Sequence, residues 1–314
     1  MTVHPSVEPD VVIRDVGPRD GLQPEAPVAP DLRARLINSL IDAGVRRIEI
    51  AAFVSPKAVP AMAGADEVFG LIEAAPGLIR TALVPNLKGA QMALGAGAEE
   101  LTVTISASEA YNQRNVKMST AQSAEVIAQI VAAARQRDDG PEVAVDAVIS
   151  CAFGSPYEGD IAPGEVVELA HKLLTSGVKT ITYADTTGMA TPRRVKDLLT
   201  SSEDGADELG ASNVGTHFHD TRGTALVNAY ASLEAGVKRF DTAVGGVGGS
   251  PFAHGAGGNL ATEALVAMLD DLGVTTGISV EGLITAAAIV EELIGRSVPS
   301  GVAHHGPRDA RTNY

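Results

Sequence analysis

The run Gly44-Val45-Arg46-Arg47-Ile48 carries a pattern that recurs along the chain. In each copy a glycine can end a helix in the left-handed conformation, and charged residues then cross solvent into an apolar strand. The other copies are Gly97-Ala98-Glu99-Glu100-Leu101, Gly177-Val178-Lys179-Thr180-Ile181 and Gly236-Val237-Lys238-Arg239-Phe240. The pattern predicts repeated units in which a helix leads into a β-strand.

Around these copies, short Val/Ile-rich runs alternate with longer segments of helical period. The candidate strands are residues 11–16, 47–53, 79–85, 101–106, 143–150, 180–186, 214–220 and 240–245. Eight strand–helix units favour a closed (β/α)8 TIM barrel, because an open doubly wound sheet usually has fewer strands. We predict one domain over residues 1–314, with a tail or oligomer contact from about residue 296 that lacks strand or helix period.

Composition narrows the class of protein. The chain has 314 residues, 45% of them hydrophobic, so a substantial core is expected. The net charge of −15 and the scattered Lys and Arg residues argue against nucleic-acid binding. The single cysteine, Cys151, excludes an internal disulfide and fits a reducing compartment. Residues 1–10 show no signal-peptide pattern, and no run approaches the ~18 apolar residues of a membrane span. We expect a cytoplasmic homo-oligomer, a dimer, with no membrane or nucleic-acid partner.

The first candidate strand stops at Gly17-Pro18, and Arg19 and Asp20 follow at once. Adjacent residues on a regular strand face opposite sides, but past a Gly-Pro break both side chains can face one site. This arrangement suits a fixed cation beside a metal-binding carboxylate better than a packed core.

Two histidines, His217 and His219, lie two residues apart on the seventh candidate strand, so both project to the same side, which is the lumen of a barrel. Two imidazoles with one or two oxygen ligands can hold Mg²⁺, Mn²⁺ or Zn²⁺. The alternative is one core histidine and one surface histidine.

Carboxylates occupy similar positions, because we expect Asp185 to end the sixth candidate strand and Glu49 to end the second. Together with Asp20 and the two histidines they mark the C-terminal ends of different strands, the active face of a TIM barrel. Such carboxylates can act as acids or bases or can orient ligand waters. For Glu49, a salt bridge to Arg19 is the alternative.

Residues 245–259 form a glycine-rich loop after the eighth candidate strand. Such a loop can bind an anion through backbone N–H groups, close over a site or serve as a flexible connector. Asn259 precedes the helical run 260–269, so its amide could cap that helix or bind a metal through its oxygen.

At these residues the chain resembles the 3-hydroxy-3-methylglutaryl-CoA lyases, within the larger group of metal-dependent barrel lyases and Claisen-type condensing enzymes. The matching pieces run in family order from about residue 11 to 295. They include residues 16–23, 48–57, 85–89, 106–109, 150–154, 156–159, 185–188, 217–223 and 257–263.

The resemblance implies that four residues bind a divalent metal, Mg²⁺ or Mn²⁺: Asp20, His217, His219 and Asn259. It implies that Arg19 holds the thioester and enolate oxygen, with Asp185 and Glu49 in the same pocket. The family reaction is a retro-Claisen cleavage that releases acetyl-CoA and a ketone, with coenzyme A as part of the substrate.

Two positions depart from the family pattern. Ser250 stands where the family has a cysteine thought to act in proton transfer, and a hydroxyl is far less acidic than a thiol. The enzyme could therefore use another donor such as His254, act slowly on the family substrate, or lack catalysis. Arg222 replaces an aromatic residue and could meet a carboxylate or point to solvent.

Coenzyme A carries phosphates, and this acidic chain must meet them with local positive charge. The candidates are Lys57, Lys88, Arg114 and Lys117, which follow the second, third and fourth candidate strands. The alternative for each is a solvated surface charge.

The leading function is therefore cleavage of 3-hydroxy-3-methylglutaryl-CoA to acetyl-CoA and acetoacetate. A related substrate such as citramalyl-CoA, which gives pyruvate, is the nearest alternative because Ser250 and Arg222 alter the pocket. A metal-dependent aldolase and a catalytically weak acyl-CoA-binding homologue are further alternatives, since one barrel hosts many chemistries.

Overall fold

The computed structural model describes residues 9–136, 142–205, 213–249 and 257–308. Eight parallel strands close into a barrel in sequence order, with β8 paired to β1. The strands are β1 Val12–Asp15, β2 Arg47–Ala52, β3 Ile79–Leu83, β4 Glu100–Ser106, β5 Ala144–Ser150, β6 Thr180–Asp185, β7 Val214–Phe218 and β8 Arg239–Thr242. The predicted (β/α)8 TIM barrel and its eight strands are confirmed.

Helices surround the barrel and bury their apolar faces against it. They are α1 Pro30–Asp42, α2 Ala65–Gly70, α3 Leu87–Gly95, α4 Glu109–Val116, α5 Thr120–Arg135, α6 Pro163–Thr175, α7 Pro192–Gly205, α8 Ala225–Glu234, α9 Thr262–Asp271, α10 Val280–Ile294 and α11 Gly301–His305. Their starts follow local rules: Pro30 and Pro163 open α1 and α6, and Ser119 forms a capping box with Gln122 at α5. No helix in the described part of the chain is long and apolar enough to cross a membrane.

The repeated glycines end their helices as predicted. Gly44 has φ +101° and Gly236 has φ +88°, a conformation that side chains other than glycine rarely adopt. The next residue closes the motif, because the N–H of Val45 donates to Leu40 at 3.0 Å and that of Val237 donates to Ser232 at 3.0 Å. The glycine thus reverses the chain, and the following valine begins its return into the barrel.

The C-terminal segment differs from the prediction. Residues 301–305 form a short helix capped by Ser300, and Val298 is buried in the core. A Cβ on Gly245 would lie 2.7 Å from Val298 Cγ1, so this segment packs against the root of the glycine-rich loop. The expected lack of helical period was therefore wrong for residues 301–305.

Candidate metal centre and active face

The turn after β1 brings Arg19 and Asp20 into one site. Residues 17–21 form a single turn of π-helix, which begins at the Gly-Pro break. The Arg19 guanidinium donates to Glu49 on β2 through Nε and to the Asp20 carboxylate through Nη1. The predicted salt bridge between Glu49 and Arg19 is present, and the two neighbouring charges share a site.

Asp20 is held in its ionised form. Burial opposes ionisation, but the positive charge of Arg19, assisted by the two histidines and by the Asn259 amide, keeps the pKa of the Asp20 carboxyl below its usual value. An ionised carboxylate is the form that binds a cation.

His217 and His219 direct the same ring nitrogen at each other. Their Nε2 atoms lie 3.2 Å apart, and potential ligand atoms of Asp20, His217 and His219 all lie within 4.8 Å of one another. His219 Nδ1 lies 3.0 Å from the carbonyl oxygen of Gly257, and His217 Nδ1 lies 3.4 Å from Oδ2 of Asp241. Because these oxygens only accept, each Nδ1 carries a proton, which leaves Nε2 as the atom that each ring can offer to a metal ion.

Burial is the main cause that lowers the pKa of His219 to about 4, so this imidazole is neutral near pH 7. Its Nε2 therefore has a lone pair that can bind a metal ion.

Asn259 adds an oxygen to this group. Its amide nitrogen donates to Asp20 Oδ2 at 2.8 Å and to the carbonyl of Val247 at 3.0 Å. Its Oδ1 is buried and has no hydrogen-bond partner among the described residues, which is costly unless something positive binds it. The capping alternative for Asn259 is excluded, because α9 begins at Thr262 and Ala261 precedes it.

The structure brings together all four predicted ligands. Two imidazole nitrogens, one carboxylate and one amide oxygen form a mixed donor set suited to a divalent cation of the Mg²⁺ or Mn²⁺ type. The residues present thus fit the metal that the resemblance implies.

Asp185 lies beside this group without joining it. The β6–β7 ladder pairs Ala184 with His217, and the Asp185 Oδ1 accepts the N–H of Met189 at 2.7 Å in the turn after β6. Burial, the main cause, raises the pKa of Asp185 to about 6. Its Oδ2 is buried and has no partner among the described residues.

Arg222 is exposed, as one of its two predicted alternatives has it, and it also bonds a neighbouring loop. Its Nη1 donates to the carbonyl oxygens of Thr187 at 3.1 Å and Gly188 at 2.6 Å. Arg222 therefore holds the same β6–α7 loop that Asp185 closes. No side-chain pattern predicts this pairing, since the acceptors are backbone carbonyls.

The remaining predicted residues lie at the rim of the barrel mouth or are not among the described residues. Lys57, Lys88, Arg114 and Lys117 are exposed in the segments after β2, β3 and β4, with Lys88 on α3 and Arg114 on α4. Arg114 packs over the ring of Tyr157, 4.0 Å from its centroid. Ser250 and His254 lie outside the described residues.

Sequence reasoning missed three charged residues beneath the metal centre. Arg14, Asp15 and Asp241 lie on β1 and β8 and are all buried. Asp15 accepts hydrogen bonds from the N–H groups of Gly17 and Val244, at 2.8 and 3.0 Å. It therefore joins the two loops that carry Asp20 and Asn259. Charged residues inside apolar strand runs were the signal that could have found them.

Known proteins are similar to this chain in sequence and in fold. The HMGL-like family matches residues 10–290. The mitochondrial hydroxymethylglutaryl-CoA lyase of Mus musculus is 40% identical over 294 residues, which is 93% of this chain and 88% of the relative. A 3-hydroxy-3-isohexenylglutaryl-CoA/hydroxymethylglutaryl-CoA lyase of Pseudomonas aeruginosa is 41% identical over 290 residues, 92% of this chain and 94% of the relative.

A solved structure agrees. That of an HMG-CoA lyase from Acinetobacter baumannii, in complex with coenzyme A and 3-methylmalate, superposes with a TM-score of 0.90 at 39% identity and covers 97% of each chain.

Proposed function

The chain belongs to the HMGL-like family together with the hydroxymethylglutaryl-CoA lyases, and we propose that it cleaves 3-hydroxy-3-methylglutaryl-CoA to acetyl-CoA and acetoacetate. The observation that carries the proposal is the convergence of Asp20, His217 and His219 beside Arg19 at the C-terminal end of the barrel. The relatives do not favour citramalyl-CoA cleavage, an aldolase or a catalytically silent protein.

The reaction breaks one C–C bond and moves one proton from oxygen to carbon. The 3-hydroxyl loses its proton, and the electron pair left on oxygen forms the C3=O bond of acetoacetate. The C2–C3 bond breaks and its electron pair goes to C2, so acetyl-CoA leaves as an enolate. Protonation at C2 then completes acetyl-CoA. The site must therefore accept one proton, stabilise an oxyanion and return one proton.

Asp20, His217, His219 and Asn259 would hold the divalent cation, for which we propose Mg²⁺ or Mn²⁺. Such a cation supplies positive charge for the oxyanions of the reaction.

Arg19 stabilises the enolate oxygen in this proposal. Glu49 and Asp20 hold its Nε and Nη1, and no described residue bonds Nη2. A guanidinium fixed on two sides does not have to reorganise when negative charge develops on the thioester oxygen.

Asp185 is our candidate for the proton acceptor. A carboxyl with a pKa near 6 is mostly ionised at neutral pH and remains basic enough to take a proton. Its Oδ1 is fixed by Met189, while Oδ2 has no partner among the described residues. We propose that the proton donor to C2 lies among residues 250–256, which are not among the described residues.

The four exposed rim cations support a place for the coenzyme A phosphates. We propose that Lys57, Lys88, Arg114 and Lys117 contribute to it, since all four surround the mouth after β2, β3 and β4. Replacing Lys57 and Lys88 by Gln should raise KM and leave kcat nearly unchanged, because phosphate contacts bind substrate and transition state alike.

A coupled assay tests the proposed function. The full chain with Mg²⁺ should form acetoacetate from 3-hydroxy-3-methylglutaryl-CoA faster than it forms pyruvate from citramalyl-CoA, and His217→Ala should abolish both. No acetoacetate above background would overturn the proposal. The cytoplasmic location stays a prediction, supported by the single buried Cys151, and cell fractionation tests it. The homodimer also stays a prediction, which light scattering tests.

A further inference from the structure

Arg14 is a buried cation inside the barrel, below the metal centre. It is 2% exposed, and the β1–β8 ladder sets it directly opposite Asp241. Its side chain contacts residues on β4, β5 and β8, so it crosses the lumen. The interior of such barrels is usually filled by layers of apolar side chains. A buried charge in their place is costly unless it is paired, so we asked which groups Arg14 bonds.

The guanidinium grips Asp241 with two parallel hydrogen bonds. Nε donates to Oδ1 at 2.8 Å, and Nη2 donates to Oδ2 at 2.7 Å. On its other edges Nη2 donates to Asp146 at 2.8 Å and Nη1 donates to Thr102 at 3.2 Å. This fork fixes both the position and the rotation of the Asp241 carboxylate.

The fixed carboxylate faces a metal ligand. The same Oδ2 that receives the Arg14 Nη2 lies 3.4 Å from Nδ1 of His217, and both side chains are buried. A partner on Nδ1 sets the tautomer and the ring plane of a ligand histidine, and therefore aims Nε2. Arg14, Asp241 and His217 thus form a chain of contacts from the lumen to the metal centre.

We propose that Arg14 is a positioning residue of the metal centre, which aims the His217 ligand nitrogen by holding the Asp241 carboxylate in a two-bond grip. The proposal rests on the metal site of the proposed function. It concerns geometry and predicts that a positive charge alone is insufficient, because lysine is a point charge and cannot make the two parallel bonds.

Mn²⁺ binding to the full-length protein, measured by calorimetry and by the electron paramagnetic resonance of the bound ion, tests this without turnover. Arg14→Lys should raise the Mn²⁺ Kd about 10-fold or more, the usual effect of losing a group that orients a ligand. The matched control is Arg47→Lys, because Arg47 is also in the lumen, 3.3 Å from Glu100, and no bond joins it to Asp241 in the described structure. The control should leave Kd within about 2-fold.

A double-mutant cycle separates positioning from general stability. If Arg14 acts through Asp241, Arg14→Lys should add nothing to the Kd change already caused by Asp241→Asn. A merely structural role predicts a lower melting temperature of the metal-free protein with an unchanged Kd.

If Arg14→Lys does not fold, Arg14→Gln combined with Asp146→Asn removes one cation and one anion and keeps the charge balance of the lumen. This pair should weaken Mn²⁺ binding, while Asp146→Asn alone should not.

The outcomes are distinguishable. A wild-type Kd in Arg14→Lys or in the Arg14→Gln pair, or additive effects with Asp241→Asn, would overturn the role of Arg14 alone. Failure of the wild-type protein to bind Mn²⁺ would overturn the metal site and this inference together.

Discussion

Asn259 donates its side-chain amide to Oδ2 of Asp20 at 2.8 Å, although 239 positions separate the two residues in the sequence. The bond joins the loop after β1 to the residues after β8. It also orients the Asn259 amide so that its oxygen has no partner in the described structure. One side chain therefore orders a carboxylate ligand and offers a further ligand atom.

Asn259→Ala should weaken divalent-metal binding, because it removes both the oxygen donor and the bond that orders Asp20. We expect the rise in melting temperature caused by saturating Mn²⁺ to shrink markedly, since the stabilisation follows the affinity. The matched control is Asn228→Ala, another buried asparagine, whose amide donates to Ala190. It should lower the melting temperature and keep the full Mn²⁺ increment; equal losses of the increment in both variants would contradict the assignment.

Gly248→Ala should damage the same ligand through backbone geometry. Gly248 has φ +124°, and a Cβ there would lie 2.4 Å from the Asn259 amide nitrogen. Gly295→Ala is the control, because Gly295 also has a positive φ, +69°, but a Cβ there meets nothing within 4 Å. Both variants should lose about 1 kcal/mol or more of stability, and only Gly248→Ala should also weaken Mn²⁺ binding in a calorimetric titration.

Arg19→Lys should lower kcat far more than it raises KM. Lysine cannot keep the two contacts to Glu49 and Asp20 and still present a donor to the enolate. We expect a loss of about 10²–10³ in kcat, as for the removal of one oxyanion donor. Steady-state kinetics decide, with Arg35→Lys at the exposed Glu292 pair as the control. A pure KM effect would mean that Arg19 only binds substrate.

Asp185→Asn should abolish most turnover and change the pH dependence of stability. The wild-type rate should rise with pH through about 6, because the base must be ionised. The raised pKa also means that the folded chain binds this proton more tightly than the unfolded chain does. Its contribution to stability therefore falls as pH rises from 3.8 to about 6.

Melting curves check the sign of this effect. The melting temperature of Asp185→Asn relative to the wild type should be higher at pH 7 than at pH 4, since only the wild type has to ionise the buried carboxyl. Asparagine keeps the oxygen that accepts from Met189, so the turn after β6 should persist. A variant with the wild-type rate would exclude Asp185 as the proton acceptor.

Ser250→Cys tests whether the missing thiol limits the reaction. The assay uses 3-hydroxy-3-methylglutaryl-CoA and Mg²⁺. A rise in kcat of roughly 10-fold, a fall of about 1.4 kcal/mol in the activation free energy, would show that proton delivery from this loop limits the rate. Unchanged kcat would place the proton donor elsewhere. His254→Ala in the same assay is the companion measurement.

Local rules predicted most of the architecture. The glycine at position 44 and its three equivalents ended helices as expected, and the strand runs that followed them gave the barrel and its active face. The Gly-Pro break also predicted that Arg19 and Asp20 share a site. Each of these inferences depends on residues close together in the chain.

What escaped prediction depends on closure of the ring. The grip of Arg14 on Asp241 spans 227 positions, and Asp15 meets Thr262 across 247. Neither pair leaves a local pattern beyond an unexplained charge in an apolar run. The loop contacts of Arg222 also escaped prediction, and the capping alternative for Asn259 could not be excluded from the sequence, since the partners of both side chains lie in other β/α units.

The pairing of β1 with β8 has a consequence for when the metal centre can form during folding. Asp20 lies near the start of the chain, while the other residues of the metal centre, His217, His219 and Asn259, come more than 190 positions later. Because long-range strand pairing forms slowly, we expect the metal centre to form only after β8 has paired with β1. A chain arrested before Asn259 contains all eight described β-strands and lacks one ligand. Metal affinity should therefore report completion of the barrel, and chains arrested early should bind the ion more weakly and gain less stability from it than the full chain.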